Sequence, residues 1–171
     1  MSPPTPYVPS IAVDAVITAL GAFLQPFVGS AQIVRGQVNL VPPPAAPFVK
    51  VTEVNRVLLE TPWVAFSKAN AQANITGPMR LDVQVDFYGI TAGDQAAAVQ
   101  AVYRTSYAVA QFPAGIAPLY CTDAHQSPLT TGEEQYLARW TITASLQYDP
   151  VVYIPLQFAT ALKVNILEDI I

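Results

Sequence analysis

Pro78-MRLDVQVDFYGITAGDQAAAVQAVYRTSYAVA-Gln111 is the stretch whose reading decides the fold. Met79, Leu81, Val83, Val85 and Phe87 alternate with Arg80, Asp82, Gln84, Asp86 and Tyr88. In an extended chain successive side chains point to opposite sides, so this spacing predicts a strand with one dry face and one wet or partner-facing face. Gly89-Ile90-Thr91 predicts a turn. Thr91-Ala-Gly-Asp94 resembles a capping box, with Thr91 as N-cap and Asp94 near the positive helix end. Ala96, Val99, Val102, Tyr103 and Ser106 then share one helical face, shallow because it is rich in alanine. The unit reads as a packing element with no catalytic character.

Its natural antiparallel partner is the segment from Tyr136 to Tyr148. There Tyr136, Ala138, Trp140, Ile142, Ala144, Leu146 and Tyr148 alternate with polar or mixed positions. Such a run is long against the usual strand of ~5–6 residues. Asp149-Pro150 ends it, and Val151 to Pro155 reads as an edge strand.

Working outward, residues 1–10 read as an extended Pro-rich arm, because proline fixes φ and lacks an N–H. Residues 11–171 read as one α+β domain, with an antiparallel or mixed sheet and two main helices packed on it. Ser10 is the expected N-cap of a helix from Ile11 to Leu24, with Val13, Val16, Ile17, Leu20, Phe23 and Leu24 on one face and Pro26 as its stop. Gln32 to Asn39 predicts a strand in which Gly36 marks a bulge or a close backbone approach. Residues 41–47 predict a polyproline II linker, and Phe48 to Leu59 a second strand. Residues 61–77 carry Trp63 and Phe66 and then turn polar; they read as a long loop or hairpin tip, of a length that is usually functional or flexible. Leu119 to Asp123 predicts a short strand, and residues 162–167 a last one, with Leu162, Val164 and Ile166 alternating.

Composition narrows the function. Charged residues are 12% of the chain, about half the usual ~25%, while apolar residues reach 52%. No apolar run approaches the ~20 residues of a membrane helix. A low-charge, apolar-rich chain of this kind fits a subunit that hides surface in an assembly. The net charge of −4, with scattered basic residues, argues against sequence-specific nucleic-acid binding. Met1-Ser-Pro-Pro-Thr-Pro does not read as a signal peptide, and one cysteine, Cys121, allows no internal disulfide.

Catalytic chemistry has little to work with. Cys121, Asp123 and His125 share one side of an extended chain and can all ligate metal, but no fourth ligand is near and His125 is the single histidine. Asp82 and Asp86 are separated by about 13 Å of strand, too far for paired-carboxylate chemistry. No nucleophile elbow or phosphate loop is present. A small metal-dependent hydrolase using Cys121, Asp123 and His125 is the alternative of a different class. The expectation is a non-enzyme with no cofactor and no metal.

Several phrases together resemble the phage neck terminator (tail terminator) family: Gln37-Val-Asn-Leu-Val-Pro42 with Pro44 and Pro47-Phe48-Val49, then Asp86-Phe-Tyr-Gly89 with Ala92-Gly-Asp94, and Pro118-Leu-Tyr120. Gly132-Glu-Glu-Gln-Tyr136, Arg139-Trp140, Leu146-Gln-Tyr-Asp-Pro-Val-Val152 and Pro155-x-Gln157-Phe158-Ala159 continue the series. The resemblance runs from about Gln32 to Val164. It implies a structural virion protein of a tailed bacteriophage, assembled in the host cytoplasm. Its copies would form a hexameric ring that caps the tail tube, and sheath where present, and docks to the head–tail connector. DNA would pass through the lumen without sequence-specific contact, and no membrane is involved. Another neck, connector, tail-completion or baseplate subunit is the alternative within the same machine. Residues expected at interfaces are Tyr7, Trp63, Phe66, Lys68, Asn70, Gln72, Arg80, Asp82, Asp86, Arg139, Tyr153 and Ile171.

Overall fold

A computed structural model describes residues 7–37, 42, 44–127, 129–130 and 136–157 of the chain. The predicted strand at 162–167, Ile171 and most of the N-terminal arm lie outside the described residues.

In chain order the elements are helix α1 (Val13–Val28), strands β1 (Gln32–Arg35), β2 (Phe48–Leu58), β3 (Trp63–Ser67), β4 (Gln72–Thr76) and β5 (Met79–Tyr88), and helices α2 (Ala92–Val102) and α3 (Ser106–Gln111). Strands β6 (Ile116–Cys121), β7 (His125–Gln126), β8 (Leu129–Thr130), β9 (Tyr136–Leu137), β10 (Arg139–Tyr148) and β11 (Val151–Pro155) follow. The fold is α+β, as the alternation predicted. A mixed six-stranded sheet runs β1-β2-β5-β10-β6, with β7 also on β10, and a three-stranded sheet runs β11-β4-β3.

The predicted antiparallel pairing of the two long alternating segments is present, from Arg139 onward. β5 and β10 are antiparallel from Met79 opposite Tyr148 to Tyr88 opposite Arg139. Leu81, Val83, Val85 and Phe87 therefore share a face with Ile142, Ala144 and Leu146, and all seven are buried. Val49 and Val51 of β2 join them. All three helices contribute buried side chains to this face: Val16, Leu20 and Phe23 from α1, Val99 from α2, and Ala108 from α3. Each fully buried apolar side chain of this size contributes roughly 1.5–3 kcal/mol. Phe23 anchors the layer, with Tyr103 edge-on at 5.7 Å and Phe112 stacked at 5.3 Å.

Several boundaries differ from expectation, each for a local reason. α1 begins at Val13, not Ile11, because Ser10 is committed elsewhere. The Ser10 N–H donates to Val151 O at 2.9 Å, and Ser10 Oγ accepts from Val151 N at 3.0 Å. Ala12 takes the N-cap place without a side-chain cap. The helix also passes through Pro26, and its extra turn brings Val28 into the core. It ends at Gly29, whose φ of 60° suits a residue without Cβ. The capping box at Thr91 does not form. Thr91 sits at ψ 6°, outside the extended geometry of a capping residue, and its side chain makes no cap bond.

The single helix expected after Thr91 breaks in two. Tyr103 is pinned beneath the sheet by its hydroxyl, which donates to Ser145 O. Thr105 then closes the turn by giving both its N–H and its hydroxyl to Val102 O. The long strand expected from Tyr136 to Tyr148 is interrupted at Ala138, whose carbonyl accepts the Gly89 N–H at 3.1 Å, while β9 turns away to pair with β8. β6 starts earlier than predicted, at Ile116. Leu119 is an extra residue in its pairing with β10, a bulge next to Pro118, which has no N–H for the ladder. At Gly36 the expected close approach is present: a Cβ there would lie 2.1 Å from Thr52 Oγ1.

The largest departure is at residues 61–77. Of the two readings, long loop or hairpin tip, the second holds at 68–71, and the flanking residues are strands: β3 and β4 form an antiparallel hairpin, and β11 pairs on the other side of β4. β2 leads into β3, β4 into β5, and β10 into β11, so the small sheet continues from one end of the large one. Each of these three connections carries a proline: Pro62, Pro78 and Pro150. Residues without an N–H cannot extend a ladder, and the sheet divides at this seam.

Candidate assembly interface

The residues expected at interfaces fall into three places. Trp63, Phe66, Lys68, Asn70, Gln72 and Tyr153 gather on the three-stranded sheet and its hairpin tip. Arg80, Asp82, Asp86 and Arg139 gather on the helix-free face of the large sheet. Tyr7 is exposed just before α1.

The small sheet is the more accessible. Among the described residues β3 is one of its two edge strands, and four of the strand's five residues are exposed. Trp63 and Val64 are each 48% exposed and Phe66 69%, so apolar side chains stand out on both faces of one strand. Leu58, Leu59 and Tyr153 extend the apolar surface. No charge lies within Trp63–Ser67, although edge strands are commonly blunted by charge, proline or a bulge. Between this sheet, α1 and the end of β5 runs an open groove of about 620 Å³, walled by Ile11, Leu58, Ile75, Met79, Tyr148 and Val152.

The helix-free face is polar but ordered. Lys50 and Thr141 lie directly opposite Asp86 on either side of β5. Thr141 Oγ1 donates to Asp86 Oδ1 at 2.7 Å, and Arg139 reaches the same oxygen with Nε at 3.1 Å and Nη2 at 2.9 Å. Gln84 Nε2 donates at 2.9 and 3.0 Å, and Lys50 Nζ stands 3.7 Å from Oδ2. Tyr88 stacks on Phe48 at 4.3 Å, with the Lys50 and Arg139 cations each 5.9 Å from its ring centre. Next along the strand, Asp82 is held by Arg80 at 3.1 Å, and Ser145 Oγ donates to it at 2.6 Å.

This arrangement corrects the expectation of a wet or partner-facing face at two of its positions. Asp86 and Tyr88 are buried, because Lys50, Arg139 and Phe48 fold over them. Asp86 cannot touch a neighbouring molecule. It holds Arg139 and Lys50 in place at the surface. Lys50 was not singled out from the sequence, since only the register of β2 against β5 sets it across from an acid. Val64, Leu58 and Leu59 were also missed; an edge strand open on both faces has no alternation to mark it.

The residues considered for catalysis are dispersed in function. Cys121 is half-buried, and burial pushes its thiol above the usual range, which disfavours the reactive thiolate. Asp123 accepts from Gln100 Nε2 at 2.8 Å, and His125 is exposed on β7. Among the described residues no cluster of three or more His, Cys, Asp or Glu could hold a metal, and no helix is long and apolar enough to cross a membrane.

No curated protein matches the chain. The family described as phage neck terminator protein matches residues 14–170, a span that takes in all of α1 but Val13 and the six- and three-stranded sheets. Over that span the chain belongs to the phage neck terminator protein family, a family of structural phage proteins of the neck.

Proposed function

We propose that this protein is a tail terminator, a non-enzymatic subunit whose copies close into a hexameric ring at the end of the tail tube. The ring stops growth of the tube, and of the sheath where there is one, and offers its other side to the head–tail connector. DNA passes through its lumen. The observation that carries this reading is the three-stranded sheet, with Trp63, Val64 and Phe66 exposed on both faces of an uncharged edge strand. Such surface is costly in an isolated molecule and is buried cheaply against a neighbour. A head-to-tail contact repeated by rotation closes a ring. Family membership and the low content of charge support the same reading. The subunit assembles in the host cytoplasm and ends in the neck of the virion.

Two measurements test it. Light scattering on the purified protein should give a mass near six subunits, alone or after addition of tail tube. A density map of the particle should place the chain between tube and connector. Location elsewhere in the particle, or tube growth that continues unchanged in its presence, would remove this function.

A further inference from the structure

Among the described residues the outer edge of β3 pairs with no strand. The described chain runs to Gln157, just past the end of β11, where Leu156 N–H donates to Ala71 O at 2.8 Å at the hairpin tip. Fourteen residues follow, 158–171. Within them Leu162, Val164 and Ile166 alternate with Lys163, Asn165 and Leu167, a six-residue pattern that matches the five residues of β3 in length.

Charge sets the direction of pairing. β3 is flanked by Glu60 before it and Lys68 after it, both exposed. The 162–167 segment has Lys163 near its start and Glu168-Asp169 after its end. A parallel alignment sets Lys163 toward Glu60 and Glu168 toward Lys68. An antiparallel one sets lysine against lysine and acid against acid. Pairing back on β11 in the same chain is antiparallel as well, and would bring Glu168-Asp169 beside Asp149; the start of that edge is already engaged by Ser10.

Direction in turn sets the source. β3 and β11 both run toward the hairpin tip, since each is antiparallel to β4. To lie parallel to β3, a chain leaving β11 at the tip must first return to the other end of the sheet. Such a crossover takes a dozen or more residues, and only 158–161 separate Gln157 from Leu162. We propose that the edge of β3 receives residues 162–167 of a second copy as a parallel fourth strand. The contact is head-to-tail, the kind a ring requires, and in that respect it rests on the ring proposed above.

Cross-linking of the full-length chain decides it. In a Cys121→Ser background, one preparation carries Val64→Cys and another Asn165→Cys. The two are mixed and treated with a short bismaleimide, whose reach covers a slip of one residue pair, about 7 Å. A doubled-mass product that needs both preparations is expected. A third preparation carrying both substitutions that cross-links only within its own chain, at monomer mass, overturns the proposal, as does absence of the doubled-mass product in a mixture that light scattering shows to be assembled; either leaves the ring itself standing. A protein that stays monomeric with tail tube present overturns both. Lys68→Glu or Glu168→Lys alone should weaken association by about fivefold, and the two together should restore it. Failure of the double variant to restore assembly while both single variants weaken it would overturn the parallel alignment.

Discussion

Arg139 and Asp86 meet across β10 and β5, with Nε and Nη2 of the guanidinium both on Asp86 Oδ1 and the carboxylate fully buried. Removing the cation strands a buried negative charge with Lys50 at 3.7 Å as its one remaining cation among the described residues. Arg139→Ala should therefore cost about 3 kcal/mol and lower Tm by about 6–12 °C for a chain of this size. Arg139→Lys should recover only part of this, since a single ammonium cannot reproduce the two-nitrogen contact. Chemical denaturation of dilute protein checks both; a shift below about 0.5 kcal/mol for Arg139→Ala would show that Lys50 and solvent suffice.

Tyr103 lends the fold a dependence on alkaline pH. Burial pushes its phenol far above the ordinary range, with a smaller contribution from Cys121, while the hydroxyl donates to Ser145 O at 3.2 Å. The unfolded chain loses this proton near pH 10, and the folded chain keeps it. Stability is therefore fully present below pH 10 and falls as pH rises beyond it. Cys121 and Tyr148, both also raised chiefly by burial, act in the same direction. Tyr103→Phe should cost about 1 kcal/mol at pH 7 and flatten the decline above pH 10. Melts between pH 7 and 11 that keep the full slope in the variant would refute this.

Gly36, just past the end of β1, lies against the Thr52 side chain of β2. Gly36→Ala would drive a methyl into Thr52, with Oγ1 at 2.1 Å and Cβ at 3.0 Å. A cost of about 1–3 kcal/mol is expected, the range for overpacking. Thr52→Ala removes the nearer atom and leaves Cβ, so the double variant should recover part of the loss. Thermal unfolding of the four proteins of this cycle checks it, and additive effects would show that the two side chains do not meet.

Phe66 separates folding from assembly. With 69% of it exposed at an edge strand, its replacement removes little packing from the subunit. Phe66→Asp should leave the unfolding free energy of the dilute chain within about 0.5 kcal/mol, yet set a charge on the edge and abolish the assembled species. Sedimentation and melts on one preparation check this; full assembly of the variant would take the edge of β3 out of the interface.

What the sequence by itself determined were the elements whose pattern is local. Alternation from Met79 to Tyr88 and from Tyr136 to Tyr148 marks two strands, because side-chain direction reverses at each residue; the structure starts the second at Arg139 and sets the register of the two dry faces. The stripe from Val13 to Leu24 marks α1 for the same kind of reason. Trp63 and Phe66 stood out as aromatics outside any buried pattern. Only the tertiary structure decided what depends on neighbours distant in the chain. Asp86 looks like any polar strand residue until β2 and β10 bring Lys50, Thr141 and Arg139 around it. Ser10 looks like a helix cap until Val151 claims both its N–H and its hydroxyl. The prolines at 62, 78 and 150 each look like a simple stop. Lined up side by side, they cut the sheet in two and leave the hairpin from Trp63 to Thr76 standing beyond the core, where its apolar edge is open to a neighbour.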